Sequence, residues 1–270
     1  MTVTAAVTRL VETDAHEGPV YLAHEHALYF TTNRPRVAIR RLDIATGAVT
    51  TVRADANMAN GMTLAGDGAL LVCEQGTLWE RAAITRVDRR TGAVETVVDS
   101  WFGLRLNSPN DVVVARDGAI WFTDPSYGWR QGFRPAPELG DYVLRHDPRS
   151  GVTTVVADTC DKPNGLAFSP GEDVLYVGDS ACNHVKAFDV RGGRLTHERV
   201  FAEIAPGYPD GLKVDAAGRV YSTAGDGIHI FTAAGRRIGE IPLPGAVNFT
   251  FGPGVAFITA DDAIWAAELD

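Results

Sequence analysis

Cysteine is scarce in this 270-residue chain: there are three, Cys73, Cys160 and Cys182. An odd count without CxxC spacing argues against a disulfide framework and against a cysteine metal site. The thiols are read as reduced, as in a cytoplasmic protein. No apolar run approaches the length of a membrane span. The opening residues, MTVTAAVTRLVETD, lack the apolar stretch of a signal peptide. Positive charge is also short, with 25 Lys and Arg against 34 Asp and Glu, a net charge of -9. That balance argues against nucleic-acid binding and suits a protein that holds a cation. No segment sustains a helical period, and there is no GxSxG for a serine hydrolase.

What the chain has is glycine (28 residues) and repetition. One class of segment carries a turn followed by an aromatic or β-branched strand: EHALYFTT (25–32), GDGALLV (66–72), RDGAIWFTD (116–124), GEDVLYVGD (171–179), AAGRVYSTA (216–224) and GPGVAFITA (252–260). A second class follows each, as in IRRLDIATGAV (39–49) and ITRVDRRTGAV (84–94), and reads as strand, glycine turn, strand. A short oxygen-bearing motif precedes each first-class segment: Glu17-Gly18, Asn60-Gly61, Asn110-Asp111, Asn164-Gly165, Asp210-Gly211 and Asn248-Phe249. The steps between motifs are 43, 50, 54, 46 and 38 residues. About four strands in each such unit is the blade of a β-propeller. The fold class is therefore all-β, a six-bladed β-propeller with four-stranded blades, spanning 1–270 as one domain. The sixth unit ends one strand short. VTRLVETD (7–14) has the missing pattern, so the N-terminal strand is expected to complete the last blade and close the ring.

In a propeller the innermost strand of each blade starts at one mouth of the channel. Six motif side chains then converge there: Glu17, Asn60, Asn110, Asn164, Asp210 and Asn248. All carry oxygen, and none is His or Cys. Such a set suits a hard cation, Ca²⁺ first, with Mg²⁺ and Mn²⁺ as alternatives. The competing reading is structural, because Asn-Gly and Asp-Gly are ordinary turn dipeptides. The prolines before Asn110, Asn164 and Asp210, and a glutamate at position 17, favour the metal; Asn60 and Asn248 lack the proline, and for them the structural reading stays open.

These residues carry a resemblance. HEGPVY (16–21), NSPNDVVVARDGAIWFTDPSYG (107–128), KPNGLAFSPGEDVLYVGDS (162–180) and YPDGLKVDAAGRVYSTAGDGIHIF (208–231) resemble the SMP-30/gluconolactonase/LRE-like family, and most of all its bacterial gluconolactonase branch. The resemblance implies a six-bladed propeller with a divalent cation, usually calcium, at the channel mouth. It places the metal-binding Glu, Asn and Asp on Glu17, Asn164 and Asp210. It makes Asn110 a further ligand or a substrate contact. It implies hydrolysis of sugar lactones, with other esters or organophosphates as the activity of some relatives. Two departures bear on the substrate. Ser108 stands where the animal branch has Arg, and YLAHEHALYFTTNRPR (21–36) lacks the Trp and the SD common in bacterial relatives.

The expected chemistry is a metal-dependent lactonase, with the cation polarising the carbonyl and activating water. Zn²⁺ also remains an alternative as the physiological metal. Asp210 is the candidate general base. Loops joining the second and third strands should carry specificity, namely 73–83, 124–141 and 179–184. They supply Glu74, Arg81, Asp124 and Tyr127 as candidate substrate contacts and Asp179 as a candidate brace. The 124–141 loop is expected to cover part of the pocket. His16 and His184 are weaker candidates, as is Ser108, for which no histidine partner can be placed. An apolar lining from Trp79, Trp129 and Phe133 would instead favour a phosphotriester or non-sugar ester. A non-catalytic, calcium-stabilised binding propeller is the third reading. Nothing in the sequence implies a nucleic-acid, membrane or protein partner.

Overall fold

A computed structural model describes residues 3, 4 and 6–269. Among the described residues, the strands form six four-stranded antiparallel sheets arranged as the blades of a propeller. The first four blades are built from chain segments within 15–53, 59–98, 112–157 and 163–203. The fifth uses 212–242 and the sixth 248–268. The sixth blade supplies only three strands of its own. Its outer strand is Val7–Glu12, paired antiparallel with Ala263–Glu268. The ring is thus closed as the sequence predicts. Residues 3 and 4 add a short strand, parallel to Arg237–Pro242, on the outer edge of the fifth blade. The N-terminal segment therefore ties two neighbouring blades together, which the sequence did not announce. A hairpin of Ser100–Trp101 with Leu104–Arg105 is also additional.

Burial grades from the channel outward, and this explains the strand sequences. The second strand of the first blade, Ala27–Thr32, is buried at every position. It is covered on both faces by neighbouring blades, so it reads as a continuous apolar and threonine run. The outer strand of the same blade, Val49–Arg53, is half-buried to exposed and reads as alternating Val, Thr and Arg. Six apolar clusters fill the six junctions between blades. The junction that closes the ring packs Leu28, Phe30 and Leu42 against Phe257 and Ile264. Each such buried side chain contributes roughly 1.5–3 kcal/mol. Among the described residues, no helix is long and apolar enough to cross a membrane.

Candidate active site

The six motif positions open the six inner strands, so the fold brings them to one end of the channel. Glu17, Asn60, Asn110, Asn164 and Asp210 line a cavity of about 1000 Å³ there. Asn248 is buried beside it and donates from Nδ2 to Glu17 Oε2 at 2.6 Å. At three of the motifs the turn reading does not hold. Asn60, Asn164 and Asn248 lie inside the strands Ala59–Leu64, Pro163–Phe168 and Asn248–Gly252. In the first, second and fourth blades the strand register shifts at the motif. A bulge of this kind re-aims a side chain, here toward the channel.

The glycines of the motif serve close approach. Gly61 N donates to the Asn110 carbonyl at 2.8 Å, and Gly165 N donates to the Asp210 carbonyl at 3.0 Å. A Cβ on Gly61 would lie 2.4 Å from that Asn110 oxygen, and one on Gly165 would lie 2.3 Å from that of Asp210. Each glycine thus lets one blade dock on the motif residue of the next. Threonines of the second strands add to this inner ring. Thr31 Oγ1 donates to the Asn60 carbonyl at 3.1 Å, and Thr123 Oγ1 donates to the Asn164 carbonyl at 2.9 Å.

The electrostatics are those of a crowded acidic site. Glu17 is almost wholly enclosed, and its Oε2 also accepts from Gly18 N at 3.0 Å. Burial, then repulsion from Asp210 and Asp111, holds its carboxyl well above the usual carboxylate range. Asp210 is partly exposed to the cavity. Burial pushes it up to about 6, while His16, Asn164 and Glu17 pull the other way. Asp111 is the third buried acid, faced by Lys213 Nζ at 3.4 Å. Close above this group, the Tyr127 hydroxyl lies 3.4 Å from Asn164 Nδ2.

The donor set fits a divalent cation. It is rich in oxygen, and of the lysines near it Lys213 faces Asp111 while Lys162 is paired with Asp141 and Asp161, so neither neutralises Glu17 or Asp210. Asn60 Oδ1 is buried with no hydrogen-bond partner. His16, the one imidazole on the cavity wall, has its Nδ1 2.6 Å from Asp261 Oδ1. The residues therefore suit a hard, oxygen-seeking ion better than a thiophilic one.

Residues 15–262 match the family described as the SMP-30/Gluconolactonase/LRE-like region. The chain belongs to this family. It is 34% identical over 196 residues to a gluconolactonase of Zymomonas mobilis, a match covering 68% of this chain and 54% of that protein. The chain thus spans about half the length of that relative. It is 29% identical to the pentonolactonase of Haloferax volcanii, over 88% of this chain and 77% of the other. Among solved structures, a gluconolactonase of Xanthomonas campestris superposes with a TM-score of 0.90 at 36% identity, covering 98% of this chain and 90% of the other.

Of the sequence candidates in this family member, Glu17, Asn110, Asn164, Asp210, Tyr127 and His16 reach the cavity. Three substrate-contact candidates do not line it. Glu74 is buried between the first two blades, where it binds Arg53, Asn57 Nδ2 at 2.9 Å and Thr85 Oγ1 at 2.7 Å. Arg81 is exposed and faces Asp99 at 3.4 Å. Asp124 is fully buried and accepts from the backbone of Asn107 and Ser108 at 2.8 and 2.9 Å, with burial pushing its carboxyl up to about 7. Its role is to clamp the strap that carries Asn110. Ser108 is no free nucleophile, since its Oγ donates to the Pro125 carbonyl and accepts from Gly128 N. Trp79, Trp129 and Phe133 do not line the cavity either. Trp79 is 91% exposed, Trp129 is 52% exposed, and Phe133 stacks under Arg34 at 5.3 Å.

The 124–141 loop does reach the cavity, through the helical turn Tyr127–Arg130 and Gln131. Sequence reasoning missed Arg130, Gln131 and Lys162 on the wall, and Asn33 from the first blade. It also missed Arg134, whose guanidinium donates to the carbonyls of Leu106, Asn107, Thr77 and Glu80 at 2.8–2.9 Å. That side chain pins the long loop to the second blade. Only the position of these residues on inter-strand loops pointed to them.

Proposed function

We propose that this chain is a divalent-cation-dependent lactonase that hydrolyses a sugar-acid lactone. One observation carries the reading. Glu17, Asn110, Asn164 and Asp210 share one polar cavity, in a chain whose compared relatives are a gluconolactonase and a pentonolactonase. Glu17, Asn164 and Asp210 would hold the cation, Ca²⁺ first, with Asn110 as a fourth ligand or substrate contact. When bound, the cation supplies Lewis-acid polarisation of the lactone carbonyl and lowers the pKa of water.

The two lining carboxylates have different roles. Glu17 Oε2 is engaged by Gly18 N and Asn248 Nδ2, so Glu17 is a fixed anchor. Asp210 has the open side and is the acceptor for the proton of the attacking water. The water oxygen bonds to the carbonyl carbon, the ring C–O bond breaks, and the alkoxide takes the proton held by Asp210, which gives the open hydroxy acid and restores the carboxylate. Tyr127, Gln131, Arg130 and Lys162 offer hydroxyl, amide and cationic donors to a polyhydroxylated ring. This wall favours a sugar lactone over a phosphotriester, which would call for apolar contacts. Nothing in this reading requires a nucleic acid, a membrane or a protein partner.

The test is an indicator assay for acid release across aldonolactones, non-sugar lactones and one phosphotriester. Metal-stripped protein is re-supplied with each divalent cation in turn. The reading predicts cation-dependent turnover of a sugar lactone. Turnover of the phosphotriester alone would replace it with the other esterase reading. Silence with cation bound would favour a binding propeller.

A further inference from the structure

The loop 179–184 reaches the cavity only through Ser180, Ala181 and Asn183. Its other three residues form a separate cluster. A carboxylate oxygen of Asp179, Sγ of Cys182 and a ring nitrogen of His184 lie within 4.8 Å of one another. A short helical turn, Ser180–Cys182, and Asn183 at φ 56° bring Cys182 and His184 together.

Asp179 is fully buried. Its Oδ1 accepts from Asp161 N at 2.8 Å. Its Oδ2 has no hydrogen-bond partner, and neither does His184 Nε2, which faces it at 3.4 Å. Two donors each about 2.0–2.1 Å from a tetrahedral ion are separated by about 3.3 Å. Lys186 Nζ approaches Asp179 Oδ2 at 3.3 Å, but it already donates to the Thr159 carbonyl and pairs with Glu198, each at 2.7 Å. Glu198 gives that ammonium a carboxylate of its own and leaves Asp179 to a cation.

We propose that Asp179, Cys182 and His184 form a second metal site, for a thiophilic cation of the Zn²⁺ class, separate from the oxygen-lined channel centre. One carboxylate, one thiolate and one imidazole are a zinc donor set, whereas Ca²⁺ and Mg²⁺ take oxygen. Cys182 is exposed, so solvent supplies the fourth ligand. Binding displaces the thiol proton to solvent and fixes the loop that carries Ser180, Ala181 and Asn183 on the cavity wall.

Cobalt(II) is the probe, because a thiolate ligand gives it a near-ultraviolet charge-transfer band that an oxygen site does not. The full chain, held in excess Ca²⁺, is titrated with Co²⁺. The expected result is a band that saturates at one equivalent and is displaced by Zn²⁺. It is lost in Cys182→Ser, kept in Cys160→Ser, and requires at least about tenfold more Co²⁺ in His184→Gln. A thermal melt confirms that Cys182→Ser is folded, as its exposure predicts. No band in the wild-type chain overturns the proposal. So does a band that survives Cys182→Ser, or one that His184→Gln leaves unchanged, which would mark a simple thiol adduct.

Discussion

Asp210 and Glu17 belong to one acidic cluster, yet their surroundings divide them into an open group and an anchored one. Replacing Asp210 with Asn keeps the shape and removes the proposed proton acceptor. At saturating cation, kcat should fall by about 10²–10⁴-fold with the fold intact, as read by initial rates and circular dichroism. Undiminished kcat would exclude Asp210 as the base. The reach of sequence reasoning is visible in these residues. The place of Glu17, Asn164 and Asp210 at the cavity was legible because each opens an inner strand at about one blade length from the next. Glu74 was misplaced because it ends a second strand, Leu70–Glu74, and points into the junction between blades. The Asp179, Cys182 and His184 cluster was missed because a CxxC rule does not cover one cysteine joined to a carboxylate and an imidazole.

At the scale of elements, the inner strands dock through their glycines. Gly165→Ala would drive a Cβ onto the Asp210 carbonyl. The expected cost is about 1–3 kcal/mol in denaturant unfolding, with weaker cation binding because Asp210 is displaced. The 124–141 loop depends on Arg134 in another way. Arg134→Ala would leave the buried carbonyls of Leu106 and Asn107 in the strap, and the part-buried ones of Thr77 and Glu80 in the second blade, without their donor. Each buried group costs about 1–3 kcal/mol. Limited proteolysis should then cut within 124–141 faster than in the wild-type chain, and an unchanged cleavage rate would contradict the pinning role. The loop's position was legible from its place between two strands. Its attachment was not, since an arginine that satisfies backbone carbonyls of distant loops leaves no local pattern.

For the whole molecule, the six four-stranded blades, their order and the N-terminal closure followed from repeats of about one blade length. The shared cavity followed from the same geometry. Its charge state links the site to global stability. Burial raises Asp210 from 3.8 to about 6 in the folded chain, and Glu17 is likewise held well above the usual carboxylate range. A raised carboxyl contributes stability that is full below the unfolded value and is lost as pH rises through the folded one. The metal-free propeller should therefore lose stability across that window. Cation binding favours the ionised carboxylates and offsets the loss. The rise in Tm on adding Ca²⁺ should be small near about pH 5 and clearly larger near about pH 8. A rise independent of pH would mean that the cation binds elsewhere.

The central claim is that one cation, held by Glu17, Asn164 and Asp210, drives lactone opening. The most direct measurement titrates Ca²⁺ into a single metal-stripped preparation and follows binding heat and lactone hydrolysis together. The account predicts one site whose occupancy curve coincides with the activation curve, with both shifted to higher Ca²⁺ in Glu17→Gln. Full hydrolysis before any cation is bound, or saturated binding with no gain in rate, would contradict it.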